Sequence, residues 1–105
     1  DAYDEQAKAL YGRLREAWER ALEEVLLNGV VQRYRPSIET NRLSKIFDIT
    51  EADYKAVDAG MTKSSAWLIG HDQAAAARAP VPGPIELKQD IDALETWVKG
   101  IRARR

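Results

Sequence analysis

The 105-residue chain has no cysteine, which excludes disulfides, zinc ribbons and thiol chemistry. Its one histidine, His71, leaves no His pair and no His-rich metal site. Long hydrophobic runs are missing as well. Val25-Leu26-Leu27, Val30-Val31 and the alanines from Ala74 to Ala77 fall far short of the roughly 20 apolar residues of a membrane-spanning helix. Neither sign of charge is in excess: 16 Lys and Arg stand against 17 Asp and Glu, a net charge of −1. That balance argues against a protein that holds nucleic acid or anionic membrane over its whole surface. The opening residues, Asp1 to Glu5, are acidic, opposite in sign to a secretory leader. The first residue is Asp1 rather than Met, which suggests a cloned fragment or a processed piece. The expectation is a soluble, cytoplasmic protein with no cofactor and no metal.

What remains is a helix-favouring mixture, 45% hydrophobic and 31% charged. Residues 1–105 suit a single domain. A first helix is expected over about 4–28, where Leu10, Leu14, Trp18, Ala21 and Val25 recur at spacings of three and four. Arg15/Glu19, Glu16/Arg20 and Arg20/Glu24 support its outer face, and Asn28-Gly29 is a stop signal. Residues 30–47 read as a kinked segment, either a bent helix or two helices meeting at Pro36. Over 50–70 the spacing of Tyr54, Val57, Met61, Ser65 and Leu68 predicts helix. Thr50 is its N-cap, Asp53 completes a box-like start, and Gly60 is a point where it could divide. A Pro-rich loop spans 79–84. The last helix, 84–103, repeats Leu87, Ile91, Leu94, Val98 and Ile101 as a narrow packing seam, with Trp97 alongside. The expected fold is an all-α, small antiparallel bundle of about four to five helices.

Few residues suggest chemistry. Gly60-Met61-Thr62-Lys63-Ser64 has a Lys-Ser pair near a glycine but lacks the Gly before the Lys, the preceding strand and the Gly-rich turn of a phosphate-binding loop. Ala56, Gly60, Met61, Ala66 and Ile69 fit the small and apolar positions of a helix-turn-helix with a second helix over 62–70. That helix offers no Arg, Asn or Gln to read a base edge. His71-Asp72 lies near Ser64 and Ser65, so a hydrolase can be sketched, but no oxyanion hole is suggested. Glu16, Glu19, Glu23 and Glu24 read as the surface partners of arginines.

Charge is segregated along the chain. Arg33, Arg35, Arg42 and Lys45 against Glu39 give residues 29–46 a net +3, and Lys99, Arg102, Arg104 and Arg105 give 99–105 a net +4. Residues 1–28, 47–58 and 81–98 are each −3. Such blocks suit docking onto a partner of mixed sign or phosphate contact at one edge. The candidate interaction residues are Arg33, Arg35, Arg42, Lys45, His71 and Asp72.

The run from Leu14 to Val31, together with Arg33-Tyr34-Arg35, Gly70-His71-Asp72-Gln73, Pro82-Gly83-Pro84 and Asp90 to Val98, resembles the C-terminal region of large bacterial AAA-family ATPases of the ABC/SMC-like kind, often encoded beside restriction or phage-defence genes. The resemblance covers most of the chain, yet the family's Walker A loop and its partners are absent from these residues. It therefore implies ATP hydrolysis for a parent protein and for no residue here. The expected function is a non-catalytic helical accessory domain that docks on the ATPase core or on a partner protein. A small nucleic-acid-binding module using the 33–45 basic patch is the alternative, and a hydrolase around Ser64, Ser65, His71 and Asp72 is a third reading.

Overall fold

The computed structural model describes residues 1–67 and 80–105. Helix α1 (Ala2–Ala21) starts where the Asp1 side chain accepts a hydrogen bond from the Asp4 amide at 2.8 Å, and Asp4 and Glu5 sit favourably in its first turn. Its buried stripe is Ala7, Tyr11, Leu14, Trp18 and Ala21. The helix then widens into a π turn, Leu22–Leu26, closed by the Leu27 amide on the Leu22 carbonyl at 2.9 Å. A π turn inserts one residue into the helical phase. Leu26 consequently takes the buried position that a continuous α-helix gives to Val25. Asn28 (φ 51°) and Gly29 (φ 69°) then turn left-handed and stop the helix, with the Gly29 amide on the Glu23 carbonyl at 2.8 Å.

Residues 30–39 form turns rather than the kinked or paired helix expected at Pro36, and only Thr40–Lys45 close into a 3-10 turn. Pro36 removes an amide donor and restricts Arg35 before it. The interval between Gly29 and Asp48 is also too short for a helix to persist without a face to pack on. Helix α2 (Glu51–Ser64) begins at the expected capping box of Thr50 and Asp53. It runs without interruption through Gly60, so neither a division there nor the helix-turn-helix is present. A Cβ built on Gly60 would overlap the Trp18 indole, and the glycine thus serves close helix packing instead of a turn. The expected helix over 50–70 ends at Ser64, residues 65–67 turn, and 68–70 lie outside the described residues. Helix α3 (Pro84–Arg104) starts with Pro84 in the first turn after Gly83.

The structure is an all-α bundle with no strand among the described residues. Helix α2 runs antiparallel to both its neighbours: Ser65 meets Arg15 while Gly60 meets Trp18, and Lys63 meets Asp90 while Asp53 meets Trp97. Helices α1 and α3 are parallel. The Tyr3 hydroxyl donates to the Pro82 carbonyl, Tyr11 to Asp90, and Arg105 to the Val25 carbonyl, partners always 79 or 80 residues apart. Between them the Trp18 and Trp97 rings meet at a tilt of 34°, centroids 5.4 Å apart. The core lies on these lines, around Ala7, Tyr11, Leu14, Trp18 and Leu87. Along α3 the seam departs from the expected one: Ile91 is exposed, while Asp90 and Trp97 face the other helices. Among the described residues no helix is long and apolar enough to cross a membrane.

Candidate functional site

Three polar assemblies tie the helices together, and each joins blocks of opposite charge. In the first, the Arg33 guanidinium bonds both Glu19 and Glu23, and Glu19 also holds Arg15. Arg15 in turn donates from Nε to the Ser65 hydroxyl at 2.8 Å. In the second, Lys63 reaches Glu86 at 2.6 Å and Asp90 at 2.8 Å, and Asp90 accepts from the buried Tyr11 hydroxyl. Burial of Tyr11, reinforced by the neighbouring Asp90 carboxylate, raises its phenol pKa well above the ordinary value. Partial burial opposes the charge on Lys63, but the two carboxylates outweigh it and raise its pKa.

The third assembly is centred on Asp53, only 3% exposed. Its carboxylate accepts from the Thr50 amide at 3.0 Å, from the Trp97 indole at 3.1 Å and from Arg104. Burial alone would push this carboxyl up. The hydrogen bonds from Arg104, Thr50 and Trp97 prevail and hold it at about 2. Arg105 bonds Asp48 at 2.9 Å and donates to the Val25 and Leu26 carbonyls at 2.6 and 2.9 Å, in the π turn that follows α1. The Arg105 hydrogen bond lowers the Asp48 pKa.

The positive blocks are therefore spent largely inside the molecule. Of the candidate interaction residues, Arg33 is paired twice, and Arg35 lies 3.7 Å from Glu39 with its guanidinium 5.8 Å from the Tyr34 ring. Arg42 exchanges bonds with Asn28, receiving the side-chain amide at 3.3 Å. Lys45 is exposed at the end of the 3-10 turn, and among the described residues no ion pair engages Arg42 or Lys45. Of these four, Arg33 and Arg35 are thus paired with carboxylates of the chain itself. His71 and Asp72 lie outside the described residues. Ser64 and Ser65 are buried, and the Ser65 hydroxyl is engaged by Arg15, a setting unlike that of an exposed nucleophile. Among the described residues no group of His, Cys, Asp or Glu could hold a metal ion.

The surface feature that sequence periodicity missed is apolar. Phe47 is 85% exposed and Tyr34 75%, and Val31, Ile38, Leu43 and Tyr54 are exposed with them. Spacing alone reads Ile38, Leu43 and Phe47 as the inner face of a helix. The signal against it was local: Asn28-Gly29 and Pro36 leave no helix to present that face. Exposed aromatics interleaved with Arg42 and Lys45 are suited to contact with another macromolecule, because large apolar side chains in water gain most from being covered. Compared with models of known protein families, with curated proteins and with solved structures, the chain matches none.

Proposed function

We propose that this chain is a non-catalytic helical interaction module whose docking surface is the segment from Val31 to Tyr54. The observation that carries the reading is the concentration of exposed Tyr34, Ile38, Phe47 and Tyr54 on one stretch, beside a bundle that buries Trp18. The partner is the core of a bacterial AAA-family ATPase of the ABC/SMC-like kind, to whose C-terminal region Leu14 to Val31 and Asp90 to Val98 are similar. Such a module acts in the cytoplasm and leaves ATP hydrolysis to the core. Pairing of Arg33 with two glutamates favours protein over nucleic acid as the occupant, since a phosphate-binding surface must keep its cations available.

The test uses the reading frame that encodes residues 1–105. An ATPase region from that frame or its operon, expressed separately, is expected to co-purify with this chain. Tyr34→Asp with Phe47→Asp is expected to abolish co-purification and leave the helical circular dichroism unchanged. A frame and operon without a Walker A loop, co-purification indifferent to the double substitution, or salt-sensitive binding to DNA or RNA in its place would overturn the reading.

A further inference from the structure

An open groove of about 340 Å³ runs between α3 and α1 with its π turn, which supply its lining among the described residues. Its floor is apolar: Ala17, Ala21 and Val25 from one helix, Leu94 and Val98 from the other. Leu10 stands two helical turns before Ala17, and Ile91 two turns before Val98, so the strip continues past the groove on both helices. Both are exposed, at 39% and 41%. This face is separate from the Val31–Tyr54 segment.

A charged ridge edges the groove along α1 and its π turn: Arg13, Glu16, Arg20, Glu24. Pairing within the helix accounts for little of it. Arg20 and Glu24 are 4.0 Å apart and both well exposed, and among the described residues no ion pair engages Arg13 or Glu16. The signs run plus, minus, plus, minus. Taken in the opposite direction, the same ridge carries the opposite sign at every position. Two such ridges laid antiparallel set Arg13 against Glu24 and Glu16 against Arg20, and both pairs recur across a two-fold axis near Trp18. Along the two ridges themselves no like charges oppose one another, Arg102 of α3 lies beside Glu24 at the end of the groove, and the small, exposed Ala17 beside the axis lets the backbones approach.

We infer that a second copy of this chain covers the groove, forming a two-fold dimer in which the α1 helices run antiparallel and the Arg13–Glu24 ridge pairs with itself. The parallel α1 and α3 of one copy then lie on the same pair of the other, and Leu94 and Val98 cover the alanines of the second copy. A closed, isologous contact follows from the palindromic order of the charges, whereas an unrelated partner helix would have no reason to match it. The inference stands whether or not the Val31–Tyr54 segment docks on an ATPase.

Sedimentation equilibrium of the full chain, from about 5 μM to about 500 μM, should show a species of twice the 11.8 kDa chain mass. Arg13→Glu alone and Glu24→Arg alone each place like charges opposite one another twice, and should weaken self-association roughly tenfold. An equimolar mixture of these two variants should associate as the unsubstituted chain does, because the altered positions then face each other with opposite charge. Both residues are exposed, and circular dichroism will show each variant folded. A monomer throughout the range would overturn the inference. So would a dimer indifferent to both substitutions, a mixture no tighter than the single variants, or a dimer dissociated by Phe47→Asp.

Discussion

Helices α1, α2 and α3 and the segment from Val31 to Ile49 draw on similar side chains and treat them oppositely. Trp18 in α1 is 3% exposed, under the tilted Trp97 ring and against Gly60; Phe47, also aromatic and also spaced from apolar neighbours, stands almost wholly in solvent. The helices keep one phase for 14 to 21 residues, and so present a stripe that another stripe can cover. The segment is cut by left-handed Asn28-Gly29 and by Pro36, and its one short 3-10 turn aligns too few side chains to bury them. Burial therefore follows continuity of phase more than hydrophobic content. The segment is left to offer its apolar groups to something else.

The sharpest way to break this comparison is at the tryptophan. Trp18→Ala should cost about 3–5 kcal/mol in a urea melt, the usual loss for a large buried aromatic. A loss no larger than for Phe47→Ser would mean that the two regions do not differ.

Next comes the Asp53 carboxylate, held at about 2 against an ordinary 3.8. Its folded pKa is depressed, so its stabilisation is present above pH 3.8 and is lost as pH falls toward 2. The wild type should lose about 2 kcal/mol over that window from this group. Asp53→Asn should be less stable at neutral pH by a similar amount and should lack that part of the acid transition. Asp48, also depressed by its arginine, works in the same direction. Urea melts from neutral pH down to about pH 2 read both.

A smaller loss is expected for Gly60→Ala. In an open helix this change gains about 1 kcal/mol, but here the new methyl meets the Trp18 indole, at a cost of about 1–3 kcal/mol. A net loss of about 1 kcal/mol is expected, and a gain in thermal midpoint would deny the close approach of α1 and α2. At the small end, Phe47→Ser should change monomer stability by no more than about 0.5 kcal/mol while removing the proposed docking.

Much of the fold was legible in the residues, and the departures are short. On α1 the expected stripe named Leu10 and Val25 where the structure buries Tyr11 and Leu26. The first shift reflects a tyrosine whose hydroxyl finds Asp90 at 79 residues' distance; the second comes from the π turn. On α3 the apolar repeat drew in Ile91 and passed over Asp90, because an aspartate faces inward only where Tyr11 and Lys63 come to meet it. The interaction residues were legible as charges and not as available charges. Arg33 is neutralised by glutamates 10 and 14 residues back, and Arg104 by an aspartate 51 residues back. The blocks of +3 and +4 matched a partner of mixed sign, and much of that partner is the chain itself.

The sequence by itself determined the helical class, the starts at Thr50 with Asp53 and at Pro84, the stop at Asn28-Gly29, and the exclusion of thiol and His-pair chemistry, while the first helix begins at Ala2, capped by Asp1, rather than at the expected residue 4. Capping, phase and backbone breaking act within about four residues, so contiguous sequence encodes them. Only the tertiary structure decided that α1 and α3 run parallel, which cations are neutralised, that Asp53 sits buried against Trp97 and Arg104, and that Phe47 remains in water. Those outcomes depend on groups 10 to 80 residues apart meeting at hydrogen-bond distance, which packing of the whole bundle sets and no local pattern specifies.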